Sequence, residues 1–133
     1  MGYTRMKHYK LLFSMLLITS LAIASDWGSR ENLTTAANDL NKNLPMMVDK
    51  ITEAFVVTPR DHELEFSYRV VTLQASEIDL NTNGVKSDRI NYTCSTPTIR
   101  PLIDRGISMR YSYYDKNRIF IFSTLVNKSD CNK

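Results

Sequence analysis

The chain has 133 residues, with 17 Lys and Arg against 14 Asp and Glu and only two cysteines. Three of the basic residues, Arg5, Lys7 and Lys10, precede an apolar run from Leu11 to Leu21 and the small-x-small stretch Ala22-Ile23-Ala24, the pattern of a secretory signal peptide. Cleavage after Ala24 or Ser25 leaves 14 basic against 14 acidic residues, which removes the excess positive charge that would favour nucleic acid or an anionic membrane as partner. The apolar run is also shorter than the ~20 residues a bilayer span requires, and it carries Ser14, Thr19 and Ser20, so no stable membrane insertion is expected after cleavage. The expected organisation is a signal peptide over residues 1–24 and a single small domain over residues 25–133.

In chain order, Ser29 is placed to cap a helix from Arg30 to about Asn43, in which Leu33, Ala36, Ala37, Leu40 and Leu44 form one apolar stripe. Pro45 ends it. Residues Met46 to Lys50 then read as an irregular connection, with the methionine pair expected to fill gaps in the core. Ile51 to Thr58 is β-branched and aromatic, Thr58-Pro59-Arg60-Asp61 has turn chemistry, and His62 to Leu73 alternates. Leu64, Phe66, Tyr68 and Val70 point one way, and Glu63, Glu65, Ser67 and Arg69 point the other. Together these make an antiparallel hairpin.

Asn81-Thr82-Asn83-Gly84 reads as a surface turn, Val85 to Cys94 as a helix halted by Pro97, and Leu102 to Arg105 as a second helical piece closed by Gly106. Ile107, Met109, Tyr111 and Tyr113 alternate with polar residues, Asp115-Lys116-Asn117 turns, and Ile119 to Val126 returns as a second hairpin. The predicted fold is α+β, a four-stranded antiparallel sheet made of two hairpins with helices packed on one face. In an oxidising compartment Cys94 and Cys131 are expected to pair, and closing that loop contributes about 4 kcal/mol on the chain-entropy account.

Catalytic chemistry finds little footing. His62 is the one histidine outside the leader and sits beside the hairpin turn, so neither a nucleophile-base system nor a zinc ligand set can be assembled around it. Glu63 and Glu65 share a wet strand face with nothing apolar nearby to raise either pKa, which argues against a two-carboxylate hydrolase. Asp79, Asn81, Asn83 and Gly84 match the first half of a calcium loop, but Ile90 stands where the bidentate glutamate belongs. No enzyme activity, cofactor or metal is therefore expected. Arg110, Tyr111, Tyr113, Tyr114 and Arg118 gather aromatic and guanidinium groups on one hairpin, the residue types enriched at protein interfaces, and are the candidate protein-binding residues.

The segments Cys94-Ser95-Thr96-Pro97-Thr98-Ile99-Arg100, Leu102-Ile103-Asp104-Arg105-Gly106 and Met109-Arg110-Tyr111-Ser112-Tyr113, followed by Cys131, resemble small exported proteins of Gram-negative bacteria, in particular the α/β type of type II secretion pilotin. The resemblance covers about the last third of the chain and implies a similar arrangement of helices, sheet and disulfide. It also implies a lipid-anchored protein that escorts an outer-membrane pore, and here the chain departs from the pattern, because no cysteine stands at its cleavage site. The function expected is a non-catalytic periplasmic binding or assembly factor whose partner is another envelope or secreted protein. A periplasmic inhibitor or immunity protein against a toxin or hydrolase is the alternative.

Overall fold

The structure, a computed structural model, describes residues 28–78 and 81–132; the leader expected over residues 1–24, and Asp79 of the half-matched calcium loop, lie outside them. Helix α1 spans Arg30–Asn41. It begins there because extended Ser29 accepts a hydrogen bond from the Asn32 amide and Glu31 complements the positive helix end. Its buried stripe is Leu33 and Ala37. The helix stops two residues short of the expected Asn43, at a residue with another task. The Asn41 side chain accepts from the Val57 amide at 2.7 Å and donates to the Val57 carbonyl at 2.8 Å, satisfying a stretch of sheet edge that no strand covers.

Five strands form one sheet in the order β1 (Met46–Met47), β2 (Thr52–Arg60), β3 (Glu63–Val70), β4 (Ser108–Tyr114) and β5 (Phe120–Val126). The first hairpin has the expected antiparallel pairing, but β2 runs through the predicted turn to Arg60, which pairs with Glu63. Pro59 is tolerated because β1 pairs only with Ala54 and Glu53, so the far half of β2 is an edge. Asp61 and His62 make the reversal, with His62 at φ 56.

Two features correct the predicted four-stranded antiparallel sheet. Met46–Met47 is a short fifth strand where an irregular connection was expected. The two hairpins, moreover, join side by side in parallel, Glu63 opposite Ser108 through Arg69 opposite Tyr114. The reason lies in residues 71–107, which carry the chain over the helical face and back to the end where β3 began; a crossover of that length is what parallel pairing requires.

That crossover holds a 3₁₀ turn at Ala75–Glu77, helix α2 (Thr82–Ser95) and helix α3 (Arg100–Asp104). Helix α2 starts earlier than expected, because Asn81 caps it by accepting from the Gly84 amide at 3.0 Å; the Asn81-Thr82-Asn83-Gly84 turn is the helix's first turn. Gly106, at φ 91, leads the chain out of α3 toward β4. After β5, a short helix α4 (Lys128–Cys131), capped by Asn127, brings Cys131 to Cys94, and the two are joined by a disulfide with Cα atoms 5.4 Å apart.

The core fills the space between helices and sheet. Leu33 and Ala37 of α1 and Ile103 of α3 meet Leu64, Tyr68, Met109, Tyr111 and Val126 from the sheet, with Ile99 and Ile107 at the flank. The opposite sheet face, which carries no helix among the described residues, bears Glu63, Glu65, Ser67 and Arg69 of β3 beside Arg110 and Ser112 of β4.

Candidate functional site

The five residues singled out on the second hairpin do not share a surface. Alternation along β4 sends Tyr111 and Tyr113 into the core, where Tyr111 is fully buried. There they belong to a stacked aromatic row: Tyr111 lies 5.5 Å from Phe66, and Tyr113 lies 5.3 Å from both Tyr68 and Phe122. The Tyr111 hydroxyl shares a 2.5 Å hydrogen bond with Thr93 of α2, and burial pushes its pKa up to about 12. Arg110, Tyr114 and Arg118 lie on the bare face instead. Tyr114 sits edge-on between Phe55 and Phe120, and the Arg118 guanidinium covers the Phe55 ring at 4.7 Å.

The bare face satisfies its own charges. Arg110 donates to both oxygens of Glu63 at 3.0 and 3.3 Å and to Ser123 at 3.2 Å. Arg69 pairs with Glu53 at 3.2 Å, and Arg60 donates to Glu65 at 2.8 Å. Burial pushes the Glu65 carboxyl up, but hydrogen bonds from Arg60 and Ser112 and the charges of Arg60 and Arg110 outweigh it and hold the group below its ordinary value. Glu63 and Glu65 are thus two ion-paired carboxylates. His62 is exposed at the hairpin tip, where its amide donates to the Gly28 carbonyl.

The helical face is different, because its helices leave part of the sheet open. A groove floored by Tyr68 runs there, made of two hollows that share Val48 and Tyr68: one of about 320 Å³ against α2, and one of about 190 Å³ between the end of α1 and Tyr92 of α2. Leu40, Met46, Val48 and Tyr92 rim the smaller hollow, Ile51 stands at the larger one, and all five are 39–49% exposed. Large apolar side chains gathered around a concavity mark an interaction site. The expectation that the methionines would fill the core is overturned: Pro45 and the β1–β2 turn set Met46 and Met47 on the sheet's outermost strand, where each is about half exposed. The signal was legible as four apolar residues, Met46, Met47, Val48 and Ile51, in a segment between a helix and a strand.

One cation stands in the larger hollow. The Arg89 guanidinium of α2 lies 5.3 Å from the ring centre of Tyr92, 5.5 Å from Tyr111 and 5.9 Å from Tyr68. Asp49 lines the same hollow, but its carboxylate accepts from the amides of Ile51 at 2.9 Å and Thr52 at 2.8 Å, which hold it below its ordinary pKa against the effect of burial. Burial pushes the Tyr68 hydroxyl well up, so it stays neutral. Among the described residues no three His, Cys, Asp or Glu side chains converge as a metal site requires, and no helix is long and apolar enough to cross a membrane.

No protein-family model and no curated protein matches the sequence. Solved structures do match the fold. The candidate secreted protein PA3611 of Pseudomonas aeruginosa superposes with a TM-score of 0.69 at 19% identity, over 77% of this chain and 91% of that one. EpsS, a pilotin of the Vibrio vulnificus type 2 secretion system, gives 0.65 at 17% identity, over 77% and 90%. The type II secretion system pilotin AspS of Vibrio cholerae gives 0.58 at 21% identity, over 73% and 86%. The likeness to pilotins extends over about three quarters of the chain, well beyond the C-terminal third in which the sequence pattern was seen, and at these identities it establishes a shared fold.

Proposed function

We propose that this chain, exported and freed of residues 1–24, is a non-catalytic assembly or binding factor of the bacterial envelope that holds a segment of another protein in the groove on the helical face of the sheet, beside α2. The observation that carries the reading is the rim of half-exposed apolar side chains, Leu40, Met46, Val48, Ile51 and Tyr92, around a preformed concavity. The ion-paired state of Glu63 and Glu65 removes the most plausible catalytic pair, and the pilotin-like fold supports a role in secretion or envelope assembly. Lipid anchoring forms no part of the proposal, since the leader offers no cysteine for it. The test is co-purification from the host periplasm under mild crosslinking. The unaltered chain and an Arg118→Glu variant should retain one stoichiometric partner, and Met46→Glu and Val48→Glu should lose it. Equal recovery with all four proteins would refute the groove as the docking site.

A further inference from the structure

Arg89 is the one strongly polar group of the groove that the described residues leave incompletely satisfied. Its Nε is buried and has no hydrogen-bond partner among them. The rings of Tyr68, Tyr92 and Tyr111 supply attractive faces to the guanidinium plane, but a ring face does not replace a planar acceptor for the N–H fork. Two acids line the same hollow, and neither lies within ion-pair distance of Arg89 among the described residues. Asp49 is taken up by the Ile51 and Thr52 amides, and Asp88, the neighbour of Arg89 on α2, is exposed. A charged donor left unpaired in a partly buried site is costly, and a ligand that brings an acceptor recovers that cost on binding.

Resting on the groove reading above, we infer that Arg89 is where the groove recognises a carboxylate, so that the segment it takes is apolar polypeptide carrying an acidic side chain. The rest of the hollow sets the remaining chemistry. Val48, Ile51, Val70, Leu73 and Val85 line it with aliphatic surface, and about 320 Å³ suits a few side chains of one segment. Asp49 and Asp88 oppose a ligand with several negative charges, which disfavours nucleic acid or an anionic lipid surface; a single carboxylate on an otherwise apolar body meets both conditions. The planar fork of arginine against a carboxylate, framed by aromatic rings, also fixes where along the segment the acid must fall.

A random twelve-residue peptide library displayed on phage, panned against the full mature chain, tests this. Selected sequences should be rich in large apolar residues with one Asp or Glu at a constant offset from them. Changing that acid to its amide in a synthetic peptide should weaken binding about tenfold to the unaltered protein and leave binding to Arg89→Gln unchanged. Arg89→Lys, which keeps the charge without the fork, guards against a variant that merely misfolds and should retain part of the preference. Apolar peptides that lack an acid preference but fail to bind Val48→Glu would overturn the carboxylate inference and leave the groove reading intact. Peptides that bind Val48→Glu as well as the parent, or a selection that yields none, would overturn both.

Discussion

The two faces of the sheet are both partly open, and they differ in what they leave undone. On the bare face the long side chains close on one another, Arg110 with Glu63, Arg60 with Glu65 and Arg69 with Glu53, so that even Glu65 and Ser112 are buried under the lattice they help form. On the helical face the groove keeps apolar rims and an incompletely satisfied arginine in reach of a partner. A surface rich in charge is thus the quieter of the two. Interaction potential follows unmet hydrogen-bonding and apolar demand, and the count of charged or aromatic residues is a poor guide to it.

The comparison can be broken or sharpened by substitution. The largest effect should come from the disulfide that ties α2 to α4: replacing Cys94 and Cys131 together by serine should cost about 4 kcal/mol in denaturant unfolding, given their separation of 37 residues, while leaving the groove's ligand preference unchanged. Glu65→Gln should cost about 1–2 kcal/mol, at the low end because its partner Arg60 is more than half exposed, and should not alter partner binding.

Tyr111→Phe should cost about 1 kcal/mol by leaving the Thr93 hydroxyl unpaired in the core.

Two carboxyls also predict a pH response, Glu65 on the bare face and Asp115 at the turn after β4. The folded Glu65 and Asp115 carboxyls lie below their ordinary values of 4.5 and 3.8. For Asp115 the cause is chiefly the hydrogen bond from the Ile119 amide, opposed by burial and reinforced by the amides of Ala75 and Asn117. Because the unfolded chain takes up those protons more readily, the stabilisation is complete above about pH 4.5 and declines as the pH falls through the ordinary and then the folded values. Acid unfolding curves should show this loss, and Glu65→Gln should flatten it. The smallest stability change, within about 0.5 kcal/mol, is expected for Val48→Glu at its exposed position, although partner binding should be abolished.

Local pattern made much of this fold legible. The cap at Ser29, the alternation of Leu64 through Val70 and the second hairpin all depend on neighbours in sequence, the pairing of Cys94 with Cys131 follows from there being just two cysteines, and each is found where expected. What escaped were relations between distant segments. Parallel pairing of β3 with β4 depends on how residues 71–107 cross the sheet, and periodicity carries no such information. Along the tyrosine hairpin, residues adjacent in a strand face opposite ways, so Tyr111 and Tyr113 part from Arg110 and Tyr114. The groove escaped because it is a gap among segments far apart in sequence. Met46 and Arg89 meet the same cleft only once α1, β1 and α2 are placed together.

A photocrosslinking side chain placed singly at Val48 in the groove, and separately at Tyr114 on the bare face, puts the contrast to direct measurement in intact host cells. The account predicts one discrete protein adduct from position 48, abolished by Met46→Glu, and none from position 114. A discrete adduct from position 114 with none from position 48 would contradict it.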